Sequence, residues 1–116
     1  MAQFKFFEWL ILWLQETSGF EFDWDDGNRT KSATKHVVTL VETEEVFLLG
    51  QAAPLSVQVS PETPEERLGI VGPTYMGRIL HVVFTLREGK IRPISARPAD
   101  RKERKLYETY LREVSE

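Results

Sequence analysis

From residue 55 to residue 97 apolar and polar positions alternate in short runs separated by turn residues, the period-two pattern of strands with one packed face. Leu55-Ser-Val-Gln-Val59 alternates at every step, and Pro61 and Pro64 mark the turn that follows. Arg67 to Val71 reads as the next strand, broken by Gly72-Pro73. Ile79 to Leu86 is apolar on both faces, which predicts a central strand covered on both sides. Glu88-Gly89 is a hairpin turn into Lys90–Arg97. Pro93 lies inside that last strand and cannot donate to a ladder, so an edge position or a bulge is expected there.

The flanking segments carry helical patterns. Phe20-Glu-Phe-Asp-Trp24 alternates and predicts a short strand, after which Asp25 or Asp26 caps a helix running to about His36. Thr39 and Glu42 have the spacing of a capping box, opening a helix that runs to Leu49 and ends at Gly50. Asp100 and Glu103 repeat that spacing ahead of Leu106, Tyr107, Tyr110, Leu111 and Val114, an apolar stripe at helical period. The predicted order is a strand, two helices, a four-strand antiparallel meander and a closing helix. This is an α+β domain with helices gathered on a sheet.

Residues 1–19 stand apart. Nine of the eleven residues from Phe4 to Leu14 are apolar, interrupted by Lys5 and Glu8. As a helix this run covers roughly 16 Å, about half a bilayer core, so no membrane span is expected. It lacks the basic lead and small-residue cleavage site of a secretory signal. The expected division is an apolar helical extension over 1–19, packed on the domain or on a partner, and one domain over 20–116.

Composition changes the picture in two places. The absence of cysteine removes disulfides, thiolate metal sites and a cysteine nucleophile, and two histidines, His36 and His81, do not make a metal cage. The net charge of -3 argues against a generic nucleic-acid binder until it is divided along the chain. Residues 1–77 hold five basic and twelve acidic side chains, whereas residues 78–105 hold nine basic and three acidic ones. An acidic body thus carries a basic C-terminal third.

The run from Phe22 through Asp25, Asn28, Lys31, Lys35 and His36 to Thr39, with Glu42 to Phe47 after it, resembles the opening of the BrnT-like toxin family. Glu66-Arg67, Gly77-Arg78, the strand Leu80 to Thr85, and Ile94-Ser-Ala-Arg97-Pro-Ala-Asp-Arg-Lys-Glu103-Arg104 with Tyr107 continue the likeness, over about residues 20 to 110. The resemblance implies a type II toxin–antitoxin toxin with a RelE-like fold: an antiparallel sheet of four to five strands, two N-terminal helices and a C-terminal helix. It also implies a cytoplasmic, metal-independent endoribonuclease without cofactor that cleaves RNA and inhibits translation. A BrnA-like antitoxin would neutralise it, and promoter DNA would be bound only through that complex. The chain departs from the family at Val37, where Gly is usual, at Pro93, where a β-branched residue is usual, and in residues 1–19, which have no counterpart.

Metal-free RNA cleavage requires deprotonation of a 2′-hydroxyl, stabilisation of the phosphate and protonation of the leaving oxygen. His36 is the candidate for proton transfer, since the unperturbed imidazole titrates nearest neutrality. Lys31 and Lys35, four apart, present two charges on one helical face. The residues alone leave a second reading open, in which both lysines are solvated and His36 complements a helix C-terminus. Arg97 is the preferred phosphate clamp, joined by Arg78 and Arg92, because a guanidinium matches phosphate bidentately. Arg92 and Arg97 face opposite sides of a regular strand, so they share a face only if Pro93 brings a bulge. These arginines read equally as partners of the acidic first half. Tyr107 is placed in the stripe with its hydroxyl within reach of the sheet, Glu103 as a capping residue, His81 as a sheet-face histidine and Trp24 as a core anchor. A competing reading of the whole chain is a non-catalytic module that holds a partner protein and contributes to DNA recognition, since the apolar extension wants a cover.

Overall fold

The computed structural model describes residues 21–25, 28, 37–49, 51–59, 66–88 and 90–114. Within them the order is α1 (Leu40–Leu48), β1 (Ala53–Val59), β2 (Glu66–Pro73), β3 (Ile79–Arg87), β4 (Lys90–Pro98) and α2 (Arg101–Val114). The four strands form one antiparallel sheet in the order β1-β2-β3-β4. This is the expected meander, with β3 in the interior as its two apolar faces require.

The helices lie on opposite faces. α1 buries Thr43, Val46 and Phe47 against Leu68, Ile70, Leu80, Val82, Phe84, Ile91 and Ala96, the main core. Phe47 meets Phe84 edge-on with ring centroids 5.0 Å apart, and Phe22 meets Phe47 at 5.6 Å. The other face carries Ala53, Val71, Ala99 and Tyr107, with Leu55, Ile79 and Tyr110 packed beside them. The stripe expected on α2 is rotated: Glu103 and Tyr107 are buried, while Leu106 and Leu111 are exposed. The buried Glu103 sets that rotation, because its ion pair lies on the sheet side.

Both capping boxes form. Thr39 Oγ1 accepts from the Glu42 N–H at 3.1 Å and Glu42 Oε1 accepts from the Thr39 N–H at 3.1 Å. At α2 the Glu103 N–H donates to Asp100 Oδ1 at 2.8 Å and the Asp100 N–H to Glu103 Oε1 at 2.9 Å. The strand expected to break at Gly72 runs on to Pro73. A side chain at Gly72 would meet Ala52 at 2.9 Å, so glycine is used there for close approach.

One expectation is corrected, and one falls outside the described residues. Of the two helices expected ahead of the sheet, the described residues include α1. Most of the predicted span from Asp25 to His36 lies outside the described residues, and Asp25 and Asn28 are tied by reciprocal side-chain bonds. The opening strand is reduced to a single bridge, Phe22 parallel to Ile91 at the outer edge of β4. The reason is charge: Asp23 and Asp25 turn to Arg92 instead of extending the ladder. The proposed extension over 1–19 and the Pro61/Pro64 turn also lie outside the described residues.

The expected irregularity in β4 is present. Val83 pairs with Ser95 and Phe84 with Pro93, so Ile94 is the extra residue of a bulge. Arg92 therefore stands opposite Thr85 and Arg97 opposite His81. These β3 positions are four apart, which puts both arginines on the α2 face, roughly 13 Å from each other along the strand.

Candidate functional site

Arg87, Lys90 and Arg92 lie towards one end of the β3–β4 pair; at the other, β3 begins and β4 ends, with Leu80 paired to Pro98 and the Ala99 N–H bonded to Ile79 O. Arg97 projects there from β4. Its Nη1 and Nη2 donate to Glu103 Oε1 and Oε2 at 2.8 and 2.7 Å, a fork-to-fork pair with the first turn of α2, and Nη1 also reaches Pro98 O at 3.3 Å. A guanidinium has five N–H groups. Among the described residues, Nε–H and the second Nη2 hydrogen have no partner, so the side-on edge of the fork remains available. The Arg97 side chain is 33% exposed, enough for that edge to meet a ligand.

Glu103 is the hub of this corner. Besides Arg97 and the Asp100 N–H, its Oε2 lies 2.9 Å from His81 Nδ1. Burial acts to raise the Glu103 pKa, but the Arg97 fork, the Asp100 N–H and the charges of His81 and Arg97 hold it below the ordinary carboxylate value. Arg97 is raised in turn, first by its bond to Glu103. His81 is the converse case: burial is the largest influence and pushes its pKa below the usual value, against the pull of Glu103 and Asp100 and with the help of Arg97. Neither ring nitrogen makes a well-aligned hydrogen bond, close as Nδ1 is to Glu103. His81 is thus a sheet-face histidine whose two ring nitrogens are enclosed.

A stability prediction follows. Unfolded His81 titrates near 6.5 and the folded side chain below that. Protonation then favours the unfolded chain, so its contribution is complete above about pH 6.5 and is lost as pH falls from there towards the lowered folded value. Urea midpoints measured from pH 7.5 to 5.5 should fall for the wild type and fall less for His81→Gln. The hydrogen-bonded carboxylates of Glu42 and Glu103 act in a separate, more acidic window, because both are lowered.

Arg78 sits at the same end of the sheet, in the loop entering β3. The Thr74 N–H bonds to Arg78 O at 2.9 Å and the Arg78 N–H to Thr74 Oγ1 at 3.1 Å, closing a tight turn. Its Nη1 donates to Val37 O at 2.8 Å and lies 3.2 Å from both carboxylate oxygens of Glu42. Val37 has φ 53, a left-handed conformation that is an outlier for a β-branched residue. The family glycine would suit this position, so the departure seen in the sequence corresponds to local strain. Val37→Gly should stabilise the fold by about 1 kcal/mol, relief of about 1–2 kcal/mol of strain being partly offset by the entropy of glycine. Denaturant unfolding checks this.

Arg92 is committed elsewhere. Its Nη2 is 2.7 Å from Asp25 Oδ2 and its Nη1 3.6 Å from Asp23 Oδ2, with 17% of the side chain exposed. It fastens the segment 21–25 to the sheet edge, as the acidic-partner reading expected. Tyr107 donates its hydroxyl to Gln51 O at 3.0 Å, tying α2 to the entry of β1, and burial, then Tyr110, raise its pKa. Trp24 is half-buried and donates Nε1–H to Glu44 Oε2 at 2.8 Å. Lys31, Lys35 and His36 lie outside the described residues.

Two residues make contacts that the sequence does not reveal. Asn28 is buried, donating to Asp23 O at 3.1 Å and Pro93 O at 2.9 Å while its Oδ1 accepts from the Asp25 N–H at 2.7 Å. The Asx pattern with Asp25 was the available signal, but the Pro93 contact is 65 residues away in sequence. The spacing of Asp100 and Glu103 accounts for the cap alone; the ion pair of Glu103 with Arg97 depends on the bulge that places Arg97 on the α2 face.

Among the described residues no helix is long and apolar enough to cross a membrane. Comparison with curated proteins finds no match. Among solved structures, the chain is similar to the Brucella abortus ribonuclease toxin BrnT, at 23% identity over 72% of this chain and 100% of that one, with a TM-score of 0.47. The family model for the ribonuclease toxin BrnT of type II toxin–antitoxin systems matches residues 24–103, more than half of the chain. On that match, with the residues already described inside it, the chain belongs to the BrnT family of ribonuclease toxins.

Proposed function

We propose that the chain is a metal-independent endoribonuclease that arrests translation in the cytoplasm by cutting RNA. In this reading His36 takes the proton of the 2′-hydroxyl as its oxygen bonds phosphorus and returns it to the 5′-oxygen as the P–O5′ bond breaks, and Lys35 and Arg97 stabilise the charge that builds on the phosphate. Arg97 binds phosphate through the open side-on edge of its guanidinium while Glu103 holds the end-on edge. Lys31, Arg78 and Tyr107 form the wider basic and aromatic surround, whereas Arg92, expected with them, is paired with Asp23 and Asp25 towards the other end of the strand. The neutralising partner is a BrnA-like antitoxin that covers this end of a RelE-like sheet, and promoter DNA is bound only through their complex.

The observation that supports the reading best is the gathering at one sheet end. Arg78 bonds the carbonyl of Val37, the residue after His36 in the chain, at the end of β3 that adjoins the Arg97 end of β4. Product chemistry tests it. Attack by the neighbouring 2′-hydroxyl leaves a 2′,3′-cyclic phosphate and a 5′-hydroxyl, so 5′-kinase labelling of the fragments should succeed without prior phosphatase. Fragments bearing 5′-phosphate would contradict the mechanism, and intact RNA would favour a non-catalytic module.

A further inference from the structure

We propose that Arg78 is a positioning residue: it acts on the reaction by holding the Val37 carbonyl and the capping box of α1, not by contacting the scissile phosphate. The inference rests on the reading of His36 given above and assigns Arg78 a role within it.

Three observations converge. One guanidinium nitrogen of Arg78 serves three oxygens, Val37 O at 2.8 Å and the two of Glu42 at 3.2 Å. Glu42 is not free to leave, since its Oε1 also accepts from the Thr39 N–H and hydroxyl at 3.1 and 3.2 Å. Arg78 is itself fixed at both backbone polar atoms by Thr74. The clamp thus joins the β2–β3 loop, the N-terminus of α1 and Val37 into one unit.

The second strand of the argument is strain. Val37 is 75% exposed, so no packing explains its φ of 53. A conformation costing about 1–2 kcal/mol persists where surrounding contacts over-determine it. The bond from Arg78 to its carbonyl is such a contact. It fixes the orientation of the peptide that Val37 begins, and so the direction in which the chain meets α1. A backbone shift of about 1 Å at a positioned catalytic group can cost on the order of 100-fold in rate. The charge of Arg78 is largely offset by Glu42, whose pKa stays below the ordinary value although burial acts to raise it, because Thr39 and Arg78 hold the ionised form.

The test is a double-mutant cycle on RNA cleavage in EDTA, comparing wild type, Arg78→Ala, His36→Ala and the double variant, with Arg78→Lys as a second probe if the alanine variant fails to fold. Arg78→Ala should lower kcat about tenfold or more with KM within about twofold of wild type. Arg78→Lys, whose ammonium can serve one carbonyl, should recover much of that loss. In the His36→Ala background either change at Arg78 should alter the rate by less than about twofold, because a group that acts through another adds nothing once the other is gone. Losses that multiply, with raised KM and a shallower dependence on salt, would show that Arg78 meets phosphate directly and overturn the inference alone. A wild-type rate in His36→Ala would remove the His36 assignment itself, and the positioning role with it.

Discussion

Glu103→Ala should lower stability by about 3 kcal/mol, the range measured when one member of a buried ion pair is removed. Glu103 is the acceptor for both terminal nitrogens of Arg97 and for the Asp100 N–H, and it lies 2.9 Å from His81 Nδ1. Its carboxylate is 11% exposed, so water cannot replace these contacts in place. Two terms add: Arg97 loses its counter-charge, and α2 loses half of its capping box, worth about 1 kcal/mol. Glu103→Gln keeps one acceptor and should lose less than half as much. Urea unfolding followed by circular dichroism measures both. A loss below about 1 kcal/mol for the alanine variant would mean that the corner is solvated and its ion pair marginal.

Arg97→Ala should reduce RNA cleavage by about 100- to 1000-fold, the scale seen when one donor to a developing oxyanion is removed. The open side-on edge carries the argument, because it offers two parallel donors at the geometry of phosphate oxygens. Arg97→Lys keeps the charge but not the fork, so it should recover little of the activity. The same substitution tells the clamp from a structural pair. Lysine can still meet Glu103, so stability should be largely kept while cleavage is lost. Cleavage that tracks folded fraction across wild type, Arg97→Lys and Arg97→Ala would leave Arg97 with a structural role only.

Much of this fold was legible because local rules and the tertiary structure agree. The four strands follow the alternation of residues 55–97, and both capping boxes form on the pairs Thr39/Glu42 and Asp100/Glu103. The bulge anticipated from Pro93 falls at Ile94, one residue on. What escaped was long-range. Phe20–Trp24 alternates like a strand, but Asp23 and the following Asp25 are drawn to Arg92, and among the described residues of that run Phe22 alone bridges to the sheet. The stripe on α2 was counted on apolar residues alone, so an inward Glu103 rotated it past Leu106 and Leu111. The partners of Arg78 lie 36 and 41 residues away, and no spacing rule connects them.

The charge distribution takes on a definite structural meaning. The acidic first half supplies partners to the basic third: Asp23 and Asp25 to Arg92, and Glu42 to Arg78. Arg97 is different, since it pairs within the basic segment and, among the described residues, one edge of its fork meets no partner. In the proposed reading, that contrast favours Arg97 over the other two arginines as the phosphate ligand.

The central claim is that this chain cuts RNA with its own side chains, His36 foremost. The most direct measurement is the cleavage rate of a labelled RNA by the purified protein in excess EDTA, for wild type and His36→Ala side by side. The account predicts cleavage by the wild type and a loss of about 100-fold or more in the variant. Equal rates for the two proteins, or cleavage that appears only when a divalent metal is restored, would contradict it.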